Sequence, residues 1–121
     1  MSFDMNDVAY CAGLFEGEGS VHTVGYYYAN GEKRVRKTPQ IKVQMAMVDR
    51  EPLERFASVF GGRIHGPYAP SKYGHPDHHQ AIHQYMLDSQ VGARDALSAM
   101  YPYLSPRRRS KIDAVLEGES D

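Results

Sequence analysis

Two glutamates set two residues apart in a glycine-rich stretch are where this sequence most plainly offers chemistry. Residues 11–19 read Cys-Ala-Gly-Leu-Phe-Glu-Gly-Glu-Gly, and Ser20 follows. Glu18 lies between Gly17 and Gly19, where backbone can approach a phosphate closely. Carboxylates brought near a phosphate or near each other repel unless a cation fills the gap. Hard oxygen donors of this kind select Mg²⁺ or a similar ion. A solvated turn carboxylate is the plain alternative for Glu18. A second cluster, His75, Asp77, His78, His79 and His83, offers a rival site. His79 and His83 are four apart and with Asp77 could bind zinc on a helix, but Pro76 and the alternation around Ile82 favour loop and strand, so they would not converge. A loop touching nucleic acid, or plain surface, accounts for them better. With one cysteine, Cys11, the chain has neither an intrachain disulfide nor a cysteine zinc cluster.

Cations form the third signal. The net charge is −1, which argues against a uniformly basic surface. Yet residues 20–48 hold Lys33, Arg34, Arg36, Lys37 and Lys42 against Glu32 alone, and residues 105–111 hold Arg107, Arg108, Arg109 and Lys111 with no acid. Segregated charge can give one face a positive field although the sum is near zero. A solvated hairpin tip beside a solvated helix is the alternative.

The elements that must position these groups follow from periodicity. Val8, Ala9, Ala12 and Phe15 have near-helical spacing and predict a helix from Asn6, as N-cap, to Glu16, with Gly17 and Gly19 closing it. Residues 20–28 are β-branched and aromatic and predict a strand, and Asn30-Gly31 is a hairpin turn signal. The return strand, Pro39 to Met47, alternates Ile41, Val43, Met45 and Met47 with Gln40, Lys42, Gln44 and Ala46. One face is therefore core and the other polar. A second helix starts at Asp49, carries Leu53, Phe56, Ala57 and Phe60, and stops at Gly61-Gly62. Strands near Arg63–Tyr68 and Gln80–Leu87, a helix from Ser89 to Tyr101, and a last helix capped by Ser105-Pro106 complete the chain. The order is α-β-β-α-β-β-α-α in a single domain, residues 1–121. An α+β fold with an antiparallel sheet covered on one face is expected, leaving the other face open to a ligand. No apolar run reaches the roughly 20 residues of a membrane span. A soluble cytoplasmic protein with no membrane partner is the expectation.

Residues 11–19 resemble the LAGLIDADG motif of homing endonucleases. Ala12, Gly13, Leu14 and Gly19 match, Phe15 is a usual apolar fifth residue, and Glu16 and Glu18 keep the two carboxylates. Cys11 and Gly17 depart from the motif. The helix-strand-turn-strand-helix order and Phe60-Gly61-Gly62-Arg63-Ile64 extend the resemblance over most of the chain. It implies a LAGLIDADG-type αββαββα domain with a four-stranded, saddle-like antiparallel sheet. It also implies a homodimer that cuts long, near-palindromic double-stranded DNA across the minor groove, leaving short 3′ overhangs.

By that resemblance Glu18 and the Gly17 carbonyl would hold Mg²⁺ (or Mn²⁺), with no small-molecule cofactor. Ala12, Gly13, Glu16 and Gly17 would form the dimer interface, and here the residues agree: Gly13 and Gly17 share a helix face, and each costs roughly 1 kcal/mol against alanine unless something packs there. A glutamine usual after the second strand is replaced by Met47, for which Asp49 or Gln44 could substitute. Arg107 or Arg108 would supply the basic residue near the scissile phosphate. The open face would present Ser20, His22, Val24, Tyr26 and Tyr28 with Gln40, Lys42 and Gln44, and then Arg63 and His65. Amide and cationic side chains of this kind read base edges. Lys33, Arg34, Arg36 and Lys37 near the hairpin tip suit phosphates. A nucleic-acid-binding relative without cleavage, such as an RNA-splicing maturase or a DNA-binding regulator, is the competing reading.

Overall fold

The computed structural model describes residues 3–69 and 81–117. Helix α1 runs Met5–Glu18, strand β1 Gly19–Ala29 and strand β2 Glu32–Met47. Helix α2 (Glu51–Phe60), strands β3 (Arg63–Tyr68) and β4 (Ile82–Leu87), and helices α3 (Gln90–Met100) and α4 (Pro106–Leu116) follow, with a 3₁₀ turn at Tyr101–Tyr103. The order is the expected one. The sheet is antiparallel with strand order β1-β2-β4-β3. The helices pack on one face of it, over Val21, Ile41, Val43, Met45, Tyr85 and Leu87.

Several boundaries differ from the sequence reading, each for a local reason. The cap of α1 is Asp4, not Asn6: its carboxylate accepts from the amides of Asn6 (2.9 Å) and Asp7 (3.1 Å). The helix continues through Gly17 to Glu18, so Glu18 ends the helix rather than following it. Helix α2 starts at Glu51, and its cap Arg50 makes no side-chain capping bond. Strand β2 begins at Glu32, seven residues before Pro39. Ser105 caps α4 as expected, accepting from the Arg108 amide, and Ser89, expected as the first residue of α3, is instead its cap, accepting from the Gly92 amide. The chain reverses between β1 and β2 at Asn30 and Gly31 with φ of 53° and 81°, the pair of positive values a two-residue hairpin turn requires.

The core is aromatic around α2. Phe56 meets the rings of Tyr85 and Phe60 edge-to-face at 5.0 and 5.2 Å, and Phe3 covers Phe60 at 5.0 Å. The Tyr85 hydroxyl donates to the Gly61 carbonyl at 2.5 Å, so this buried phenol is not left unpaired. Burial raises its pKa. Cys11 is also in the core, and burial pushes its thiol up to about 11, which makes it inert.

Strand β4 pairs with β2 over Val43–Met47 only. Beyond that, Ile41 would present its amide and carbonyl to no strand. The Gln90 side chain fills the place: its Oε1 accepts from the Ile41 amide at 2.8 Å and its Nε2 donates to the Ile41 carbonyl at 3.1 Å. A side-chain amide here imitates one more residue of β4. Replacing Gln90 with alanine should therefore cost about 1–3 kcal/mol, the penalty for an unpaired buried donor and acceptor. Urea unfolding of Gln90→Ala beside wild type measures this, and an unchanged midpoint would show that water serves Ile41 equally well.

Candidate nucleic-acid interface and metal centre

On the face away from the helices, direct cross-strand pairing builds two rows. Ser20, Gln44, Met86 and Arg63 stand opposite one another across all four strands. Ala46, Gln84 and His65 form a second row across β2, β4 and β3. Towards the hairpin, His22 faces Lys42 and Val24 faces Gln40. This face carries amides, imidazoles and cations, and no helix among the described residues covers it. It is the polar face expected from the alternation in β2. The structure adds Gln84 and Met86, which lie on a strand whose outward side chains the sequence left unassigned.

Past Gln40 the hairpin leaves the body as a two-stranded arm. The pairing slips between Val24 and Tyr26, so counting alternate residues from Val21 does not carry through to the tyrosines. Tyr26 and Tyr28 share a side with Lys33 and Val35, with ring centroids 5.9 Å apart and the Lys33 ammonium 4.6 Å above Tyr26. Tyr27 lies on the opposite side with Arg34 and Arg36, and the Arg36 guanidinium stands 5.0 Å from its ring. Both sides of the arm thus pair an aromatic ring with a cation. Tyr27 was missing from the expected contact set because the irregularity is not visible in the sequence. Lys37 is exposed on the arm with Lys33 and Arg34.

Arg63 and His65 lie on the open face but are engaged with their neighbours. Arg63 donates to both Asp88 oxygens at 3.1 and 3.0 Å and through Nε to His65 Nε2 at 3.1 Å. The guanidinium holds the Asp88 carboxyl below its ordinary value. His83, of the rival cluster, donates Nδ1–H to the Val48 carbonyl at 3.1 Å. His75, Asp77, His78 and His79 lie outside the described residues, as does Gln80.

Glu18 is exposed at the C-terminal end of α1, beside the open face. Ala46, Met47, Val48 and Asp49 line a shallow depression with it on one flank, and Ser20, Gln44 and Gln84 on another. Both candidates for replacing a glutamine at Met47 therefore border Glu18. The carbonyls of Gly17 and Glu18 lie past the last intrahelical bond, at the negative end of the helix. With the Glu18 carboxylate they make a hard-oxygen donor set that suits Mg²⁺ or Mn²⁺. Among the described residues no group of three or more His, Cys, Asp or Glu stands close enough to hold a metal.

Gly13 and Gly17 face outward, and a Cβ built on either meets nothing within 4 Å. The fold itself does not need glycine at these positions. Ala12 differs: it is 1% exposed in the chain's own core, which removes it from the expected interface. Glu16 is also turned inward. Its carboxylate accepts from the Ser105 amide (2.7 Å) and hydroxyl (2.9 Å). A first turn of α4 with Arg107, Arg108 and Arg109 and no acid runs against the helix dipole, and Glu16 supplies the missing anion. Arg108 is spent as well, on the carbonyls of Gly19 (2.6 Å) and Glu16 (3.0 Å). That corrects its assignment to a phosphate, while Arg107 beside it remains exposed.

No protein-family model and no curated protein matches this sequence. Solved structures do. The homing endonuclease I-CvuI, in complex with its target, superposes with a TM-score of 0.67 at 12% identity, over 93% of this chain and 65% of that one. The archaeal intron-encoded I-Vdi141I, complexed with DNA, gives 0.60 at 17% identity over 93% and 70%. The LAGLIDADG meganuclease I-CpaMI, bound to uncleaved DNA, gives 0.60 at 20% identity, over 96% of this chain and 37% of that one. The fold is that of the LAGLIDADG homing endonucleases. This chain spans about two-thirds of the length of I-CvuI. No helix among the described residues is long and apolar enough to cross a membrane.

The Glu16 contacts give a pH signature. The Ser105 amide, the largest effect, holds the Glu16 carboxyl below its ordinary value against the opposing effect of burial, aided by the Ser105 hydroxyl and the charges of Arg108 and Arg107. A carboxyl depressed on folding contributes stability that is present above its unfolded pKa and is lost as pH falls through the folded one. The stability advantage of wild type over Glu16→Gln should therefore be largest at neutral pH and shrink as the pH is lowered through the acid range. Urea midpoints of both proteins across that range measure the gap, and a gap independent of pH would contradict the assignment.

Proposed function

We propose that the chain is one subunit of a homodimeric, site-specific endonuclease that cuts double-stranded DNA inside the cell with a divalent metal held at Glu18. The observation that carries this reading is the exposed Glu18 carboxylate at the rim of an uncovered polar sheet face, on a helix whose Gly13/Gly17 side is also open. The likeness to I-CvuI and I-Vdi141I, both complexed with DNA, supports it at the level of fold.

DNA would lie along the open face, with Ser20, His22, Gln40, Lys42, Gln44 and Gln84 towards base edges. The arm cations Lys33, Arg34, Arg36 and Lys37 would contact phosphates, which orient the protein without reading sequence. A second copy packed on Gly13 and Gly17 brings the two α1 helices together along a two-fold axis and sets a second Glu18 beside the first. Glu18 and the Gly17 carbonyl of each copy would hold Mg²⁺ or Mn²⁺, which when bound polarises the phosphoryl oxygen and stabilises the attacking and departing oxygens. Asp49 or Gln44 would orient the water, and Arg107 would neutralise the phosphate. Met47 favours a second reading, a binding protein that retains the fold without cleavage, because a thioether beside Glu18 cannot order water.

Glu18→Gln separates the two. The amide keeps the shape but removes the anionic ligand, so nicking should disappear, a loss of several kcal/mol in the transition state, while gel-shift affinity for the same duplex holds or rises. Cleavage retained by Glu18→Gln would remove Glu18 from the metal site. A wild type that binds duplex yet never nicks it with Mg²⁺ or Mn²⁺ would establish the second reading.

A further inference from the structure

Arg108 belongs to none of the roles above, yet it is among the most heavily engaged cations of the described residues. Its side chain is 15% exposed. One terminal nitrogen donates to the Gly19 carbonyl at 2.6 Å and the other to the Glu16 carbonyl at 3.0 Å. Those two carbonyls bracket the Gly17–Glu18 peptide, the segment that carries both proposed metal donors. The guanidinium is flanked in turn on two further sides. Its Nε lies 3.7 Å from Glu16 Oε2 and its Cζ stands 5.3 Å from the centre of the Phe15 ring, while the Arg108 backbone amide donates to Ser105 Oγ. Ser105 closes the loop by donating its amide and hydroxyl to Glu16.

We infer that Arg108 is a positioning residue for the metal site: its two-pronged guanidinium fixes the Gly17–Glu18 turn so that the Gly17 carbonyl and Glu18 carboxylate reach the ion in one geometry. The inference rests on the assignment of Glu18 as metal ligand. Three features favour it over a purely structural contact. Arg108 fastens α4 to both ends of one two-residue segment, rather than to a helix face. A planar fork with parallel donors holds two carbonyls at once, which a lysine ammonium on its flexible stem does not. And carbonyls at a helix end carry negative potential, so a partly buried cation behind them also lowers the repulsion between two turns brought together at a dimer axis.

Groups that orient a ligand from behind typically change metal affinity by about ten- to a hundredfold when removed. The test is a Mn²⁺ titration of the full-length protein with a duplex it has selected from a random pool, read by the loss of free Mn²⁺ signal in electron paramagnetic resonance. Arg108→Gln should raise the half-saturating Mn²⁺ concentration about tenfold or more, and Arg108→Lys should recover part of that. Half-saturation is a property of the folded molecules alone, so a loss that is only structural would lower the number of sites and the melting temperature without moving it. Glu18→Gln serves as the reference. If wild type binds no Mn²⁺, or Glu18→Gln binds it as wild type does, the assignment of Glu18 itself fails. If Glu18→Gln abolishes binding but Arg108→Gln keeps the wild-type half-saturation, Glu18 stands and the role of Arg108 is overturned.

Discussion

The junction between α1 and β1 is the constraint on which this fold turns. Helix becomes strand at one peptide, and Gly19 is where it happens. A Cβ on Gly19 would overlap the Phe15 ring, which is fully buried. Only glycine lets the first strand start so close against the helix that it must cover. Because β1 begins there, Val21 meets Val43 in the core and Ser20 meets Gln44 on the open face, and a slip of one residue would exchange the two faces. The same junction projects Glu18 to the rim. Position of the carboxylate and register of the sheet are therefore one structural decision.

The second anchor is electrostatic. Glu16 and the first turn of α4 satisfy each other: an anion where a helix N-terminus carries only arginines, and an amide and a hydroxyl donor for its carboxylate. Residues 16 and 105–108 lie about ninety positions apart in the chain. Their pairing ties the last helix to the first and leaves the Gly13/Gly17 side of α1 bare. A bare glycine pair is costly in an isolated helix, and nothing among the described residues packs against it. A second copy of the chain is the compensation that the proposed function provides.

Most of the element order was legible because core-facing residues recur with period two or 3.6. What periodicity could not reach lies where no core imposes it. Strand β2 extends back to Glu32 through Lys33, Arg34 and Arg36, because an arm exposed on both sides has no buried face to write an alternation. The slip between Val24 and Tyr26 is silent for the same reason, and it hid Tyr27. The exposure of Glu18 at the end of α1 was legible from the glycines on either side of it. The turning inward of Glu16 and Arg108 was not, although an arginine run at a capped helix start with no acid is a signal that an anion must come from elsewhere. Gln90 as a stand-in for a strand residue has no sequence signature, since only the early end of β4 creates the vacancy it fills.

The central claim is that one chain holds half of a symmetric cutting site. The most direct measurement is to expose the protein with Mg²⁺ to a random pool of duplexes and sequence those it retains and those it breaks. The account predicts an enriched near-palindromic sequence with breaks placed symmetrically on the two strands about its centre. Enrichment of an asymmetric site, or breaks on one strand alone at a fixed offset, would contradict it.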